Sequence, residues 1–249
     1  MTVRSEAELS GLKRAGRIAA ETLEVMRRAV QPGIATAELD ALARGVLERE
    51  GARSAPELVY RFPAATCISL NDEVVHGVPG ERKIQPGDVV KLDVTVEKDG
   101  FMADTACTVV VEPRPSQAVR LASCARTAFA AALAVARAGS PVNRVGRTVE
   151  TEVRRQGFAV IPPLCGHGIG RSIHEEPTVP NFDDPEAHSP LEAGMVLTIE
   201  PIISAGSGGS YMALDGWTVR TTDCALSAHY EHTLVITRGK PIVLTALGA

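Results

Sequence analysis

Apolar positions recur at helical spacing in some stretches of the chain and at alternate positions in others, and the order of these segments repeats. From about Ser5 to Ala29, residues Leu9, Leu12, Ile18, Leu23 and Met26 share one helical face. Ser5 with Glu8 three residues on resembles a capping box. Gln31-Pro32-Gly33 breaks the pattern, and a second helix is expected from Thr36 to just before Gly51. Strand-like segments follow at about Thr66–Leu70, Asp88–Val96 and Met102–Val111. A helix is then expected over Ser116–Ala138, broken by Gly139-Ser140-Pro141, and another up to about Gln156, stopped by Gly157. Strands return at about Met195–Ile203 and His229–Thr237. The interval from Gly33 to Gly51 equals that from Gly139 to Gly157. The halves, about 1–112 and 113–249, share little sequence, so the repeat is one of topology. Pro113-Arg114-Pro115 marks the junction. An interdomain linker is one reading of it. A single fused domain is preferred, because both halves carry acids at matching places.

Those acids are the unusual feature of the pattern. Gly87 is followed six positions later by Asp93, and Gly194 by Glu200, in closely similar strands. Asp104 and Glu231 follow, each in an apolar strand context. A buried carboxylate is costly unless it is protonated, paired or bound to a cation. Asp99-Gly100 is a hairpin signal, and folding there brings Asp93 and Asp104 roughly opposite each other. A proton-sharing pair, or two solvated edge acids, is the alternative to a cation for these two. Val196, Thr198 and Glu200 alternate onto one face before Pro201 ends regular pairing. Four carboxylates balance the charge of two divalent cations, which makes a dinuclear site electrostatically sensible.

Histidines supply candidate nitrogen ligands. His167 stands between Gly166 and Gly168, which allow close backbone approach. With Gly170 these glycines lack the dinucleotide-binding spacing, and His174-Glu175 lacks the second histidine of a zincin helix. Local sequence leaves His76 open. His188, His229 and His232 are read as structural, with His232 beside Glu231.

Composition narrows the class. The chain has 249 residues, 45% apolar and 22% charged, with net charge −4, enough for a substantial core and unlike a nucleic-acid surface. Met1 to Ser10 hold Arg4, Glu6 and Glu8 and no apolar signal core. The longest apolar run, Ala128–Ala136, is too short to span a bilayer. Five scattered cysteines without a Cys-x-x-Cys pair fit a reducing, cytoplasmic setting. No Gly-x-Ser-x-Gly elbow is present.

In order along the chain come Cys67-Ile68-Ser69-Leu70-Asn71-Asp72-Glu73-Val74-Val75-His76-Gly77, Lys91-Leu92-Asp93-Val94-Thr95-Val96, Gly166-His167-Gly168-Ile169-Gly170, His174-Glu175-Glu176-Pro177, Thr198-Ile199-Glu200-Pro201 and Tyr230-Glu231-His232-Thr233. On these runs the chain resembles the type I methionine aminopeptidases over essentially its full length. The resemblance implies an α+β pita-bread fold, two pseudo-symmetric halves of helices on an antiparallel curved sheet around a dinuclear metal site. It implies Asp93 as ligand of one metal, Asp104 and Glu231 as bridges, and His167 and Glu200 as ligands of the other. Glu200 would also move a proton. His76 and His174 would contact the scissile amide and the tetrahedral intermediate. Cys67, Phe62 and Trp217 would line the methionine pocket, joined by Ile173, a departure at a position that is usually Phe. The stretch between His174 and Glu200 lacks the type II insertion. The implied cofactors are two divalent ions, manganese, iron, cobalt or zinc. The implied partners are N-terminal methionine peptides and nascent chains, with ribosome contact left open, no nucleic acid or membrane, and a monomer. An Xaa-Pro aminopeptidase or prolidase on the same fold is the alternative, and a catalytically dead binding module is a third reading.

Overall fold

The computed structural model describes residues 1–247. Helix α1 spans Glu6–Ala29, and Ser5 Oγ accepts from Glu8 N at 3.2 Å. Glu8 completes the cap one residue early, accepting from Arg4 N at 2.8 Å. Helix α2 spans Thr36–Glu50 and ends on left-handed Gly51 at φ 58°. Helix α3, Ala55–Tyr60, was not expected from the pattern. Ser54 caps it, accepting from Glu57 N at 3.3 Å, and left-handed Arg61 ends it. Helices α4, Ser116–Val135, and α5, Val142–Arg155, repeat the first pair. Helix α4 stops short of the expected Ala138, because the chain there turns to tertiary partners. Ala138 N donates to Thr237 O and Gly139 N to Leu191 O, each at 2.9 Å.

One sheet draws strands from both halves. Its order is Arg53–Ser54, Val89–Lys98, Phe101–Val110, Glu231–Val235, Val196–Ile199, Gly166–Gly168 and Glu175–Val179, with every pairing antiparallel. Cys67–Leu70 also pairs with Val89–Lys98. The Asp99-Gly100 turn has φ of 52° and 79°, the two positive values that a tight two-residue hairpin needs. It pairs Lys98 with Phe101, and the ladder then sets Asp93 opposite Ala106 and Asp104 opposite Thr95. The two aspartates are therefore diagonal neighbours on one face, two residues apart in register, not directly opposite.

Two expected strands are each split. Met195–Ile203 becomes Val196–Ile199 and Ile202–Ser204, and His229–Thr237 becomes Ser227–His229 and Glu231–Val235. The breaks fall at Glu200-Pro201 and Tyr230. Pro201 cannot donate to a ladder, and its carbonyl accepts from Tyr230 N instead. The outer pieces pair with each other in a smaller sheet that also takes Ala159–Val160. The chain thus leaves the main sheet beside both glutamates.

Packing explains which face is free for chemistry. Ile18, Leu23 and Met26 of α1 and Leu39, Ala43 and Leu47 of α2 bury Leu92, Val94 and Val96. Leu121, Ala125 and Phe129 of α4 and Val145, Val149 and Val153 of α5 cover Leu197, Ile199 and Leu234. Each such aliphatic side chain contributes about 1.5–3 kcal/mol on full burial. Helix α4 is long and apolar enough by composition to cross a bilayer. Its apolar face is instead buried against α5 and the sheet. Alternate residues on the opposite sheet face are left to line a cavity.

Candidate metal centre

The register of the main sheet assembles the acids. Asp93 and Glu231 flank Ala106 in one row across three strands. Asp104 lies two residues before Ala106 and so shares that face. Thr198 pairs with Thr233, which puts Glu200 on the same face as Glu231, two residues from each partner. Gly168 pairs with Leu197, so His167 stands beside Thr198, and His167 N donates to Thr198 Oγ1 at 3.1 Å. Glycine is needed on both sides of His167. A Cβ at Gly168 would lie 2.2 Å from Glu176 O, and one at Gly166 would lie 2.7 Å from Thr198 O. All five residues expected as ligands are therefore brought together.

Electrostatics show what the cluster lacks by itself. Asp104, Glu200 and Glu231 are buried. Burial first, then the Asp104 and Glu200 charges, push Asp93 well above the usual carboxylate range. Burial, then Asp104, Glu200 and Asp93, does the same to Glu231. Burial raises Asp104 too, against the Thr95 hydroxyl that donates to its Oδ2 at 2.8 Å. Glu200 is pushed up to about 8 by burial, although Thr198 Oγ1 donates to its Oε1 at 2.6 Å. Asp104 Oδ1 and Glu231 Oε1 have no hydrogen-bond partner among the described residues. Desolvation lowers His167 and keeps its ring neutral. Its Nδ1 faces the carbonyl of Gly168 at 2.9 Å, so the proton sits on Nδ1 and the Nε2 lone pair faces Glu200 Oε1 at 3.5 Å. Orphaned buried carboxylate oxygens beside a neutral, correctly oriented imidazole fit divalent cations. Among the described residues two donor groups meet the spacing for an ion, Asp104–His167–Glu231 and Glu200–His229–Glu231, and they share Glu231.

A cavity of about 280 Å³ opens on this cluster. One wall is apolar. Phe62 and Trp217 meet edge to face with centroids 5.2 Å apart, and Cys67 packs with them. Cys67 pairs with Asp93 in register, so this wall abuts the acids. Burial pushes the Cys67 thiol well up, which leaves it a wall and not a nucleophile. Ile173 lines the cavity while packing into the Leu12–Phe101 core. His76, held at φ 57°, and His174 border the same space, with the His174 ring 4.2 Å from that of His167.

Sequence reasoning missed two residues here. Tyr60, at the end of α3, bonds through its hydroxyl to His174 Nδ1. If the hydroxyl donates, His174 holds its proton on Nε2, as a donor toward the cavity needs. Tyr60→Phe is expected to remove about 0.5–1.5 kcal/mol of this support, or about 2- to 10-fold in turnover. KM should change little, which steady-state kinetics would check. His229 had been read as structural, yet it lies two residues before Glu231 and lines the cavity. That spacing was a readable signal. His232 keeps the structural reading, with Nδ1 near Thr245 Oγ1 at 2.8 Å and Nε2 near Tyr230 OH at 3.2 Å. His188 is exposed and away from the cavity.

A model of metallopeptidase family M24 matches residues 10–238. The chain belongs to metallopeptidase family M24. Membership in M24 implies divalent-metal use and gives the α+β arrangement its family form, the pita-bread fold. The chain is 45% identical to methionine aminopeptidase 2 of Bacillus subtilis, over 99% of this chain and 100% of that protein. It is 38% identical to methionine aminopeptidase of Escherichia coli K12, over 98% and 94%. The crystal structure of methionine aminopeptidase from Thermotoga maritima superposes with TM-score 0.95 at 32% identity, covering 98% of this chain and 99% of that one. Prolidase from Pyrococcus furiosus, at TM-score 0.80 and 20% identity, shares the M24 fold, and this chain covers 66% of its length.

Proposed function

We propose that the protein is a methionine aminopeptidase that removes N-terminal methionine from peptides and nascent chains in the cytoplasm. The observation that carries this reading is the cavity itself, with buried carboxylate oxygens that have no partner among the described residues at its floor and Phe62, Cys67 and Trp217 along its wall. Full-length similarity to methionine aminopeptidases supports it over the prolidase alternative.

In this reading Asp93 would hold one divalent ion and His167 and Glu200 a second, with Asp104 and Glu231 shared between the two. Carboxylates with an imidazole suit manganese, iron, cobalt or zinc. Bound there, the ions would supply Lewis acidity that lowers the pKa of a water and polarises the scissile carbonyl. The remaining work falls to the chain. Phe62, Cys67, Trp217 and Ile173 exclude water and hold the methionine side chain. Glu200 accepts a proton from the attacking water and returns it to the leaving amine. His174 donates to the carbonyl oxygen as charge develops, an interaction worth about 3–4 kcal/mol in comparable sites. His76 steadies the amide nitrogen of the scissile bond.

Pocket recognition gives a direct prediction. Trp217→Ala is expected to lower kcat/KM on Met-Ala-Ser about tenfold or more, mainly through KM, because about 1.4 kcal/mol of apolar contact is tenfold. Initial rates over a range of peptide concentration would check it. The function is tested by comparing Met-Ala-Ser with Ala-Pro peptides on metal-loaded protein. Release of methionine with no cleavage before proline is expected. The reverse preference would replace this reading with the prolidase one.

A further inference from the structure

His229 is a buried imidazole to which the reading above gives no work. It is 2% exposed, and neither Nδ1 nor Nε2 has a hydrogen-bond partner among the described residues. Leaving such a group unpaired carries the full desolvation penalty of its polar atoms. The backbone that carries the ring is fixed. His229 N donates to Thr108 Oγ1 at 2.9 Å, and the same hydroxyl donates to His229 O at 2.8 Å. Pairing with Ile202 in the smaller sheet sets His229 beside the Glu200-Pro201 break. Two-residue spacing from Glu231 turns it toward the cavity.

Its Nε2 lies 3.5 Å from Glu231 Oε2 and 3.9 Å from Glu200 Oε2. These contacts are too long for hydrogen bonds. They are close to what a shared ion requires, since donor atoms about 2.1 Å from one metal lie about 3–3.5 Å from each other. We propose that His229 is a nitrogen ligand of a metal ion that it shares with Glu200 and Glu231, so that the centre draws on two imidazoles, His167 and His229. The proposal rests on the two-metal reading given above and adds a ligand to it. A second imidazole shifts preference away from manganese and toward cobalt and zinc, which suit nitrogen donors better than hard oxygen-only sites do. The rival role for the ring is to donate an N–H to a carboxylate that itself binds metal, and the test separates the two.

X-ray absorption spectra of the zinc-loaded and cobalt-loaded wild-type protein count histidines through the outer-shell scattering of imidazole. Two imidazoles per chain are expected in wild type and one in His229→Gln. The variant should also bind zinc at least about tenfold more weakly at one site by calorimetry. A count of one imidazole in wild type overturns the proposal, even if His229→Gln weakens zinc binding, because the ring then acts through a carboxylate. If His229→Gln fails to fold, the wild-type count decides alone. Failure of the two-metal reading looks different: folded protein that takes up no metal overturns both it and this inference.

Discussion

Asp104→Asn is expected to lower methionine release by at least about 10³-fold, the scale of removing a key electrostatic contact from a transition state. The substitution keeps the volume of the side chain and the donor from Thr95, which now meets Oδ2 at 2.8 Å. It removes the charge on Oδ1, the buried oxygen without a partner among the described residues. It also places a carboxamide N–H donor where a cation would sit. The same change relieves repulsion, because Asp104 is a cause of the raised pKa of Asp93, Glu200 and Glu231. Metal-free Asp104→Asn should therefore melt at or above metal-free wild type at neutral pH, while gaining much less from added metal. Turnover, calorimetric metal binding and melting curves check the three parts. Near-native turnover at limiting metal would remove Asp104 from the bridging position.

Metal-free wild type is expected to lose thermal stability as pH rises from about 4.5 toward 8, and metal should restore it. In the folded, metal-free chain burial raises the pKa of Asp93, Asp104, Glu200 and Glu231 above their unfolded values, Glu200 to about 8. Groups raised in this way contribute stability that is fully present below the unfolded pKa. That contribution is lost as pH rises through the folded pKa, because the folded state must then bury charge. A divalent ion reverses the sign of the local field, and binding only the folded state adds about 2.7 kcal/mol at a ligand concentration 100-fold above Kd. In a chain of this size each 1 kcal/mol moves Tm by about 2–4 °C. Melting curves across this pH range, with chelator and with metal, read the effect. A flat metal-free profile, unchanged by metal, would contradict it.

Much of the site could be read from the chain because its acids interrupt strong patterns. The Asp99-Gly100 turn, the stop at Pro201 and the glycines around His167 all do in the structure what their chemistry suggests. The diagonal placement of Asp93 and Asp104 was also implicit in that turn, since pairing Lys98 with Phe101 fixes every later pair. Other features had no local signal. Gly166–Gly168 is a strand because neighbouring strands accept it, and glycine has little strand preference of its own. Helix α3 is too short for a periodic pattern, so Tyr60 and its bond to His174 were hidden. His229 was set aside because single histidines usually satisfy themselves in a core. Only the surrounding strands show that this one has no partner among the described residues.

In the proposed reading Asp93, Asp104, His167, Glu200 and Glu231 form a metal-dependent centre that releases N-terminal methionine. Metal-stripped protein titrated with manganese, iron, cobalt or zinc, with methionine release from Met-Ala-Ser as readout, tests it most directly. The account predicts no release without metal and recovery that saturates near two equivalents per chain. Full release by stripped protein, or none from folded protein that has bound metal, would contradict it.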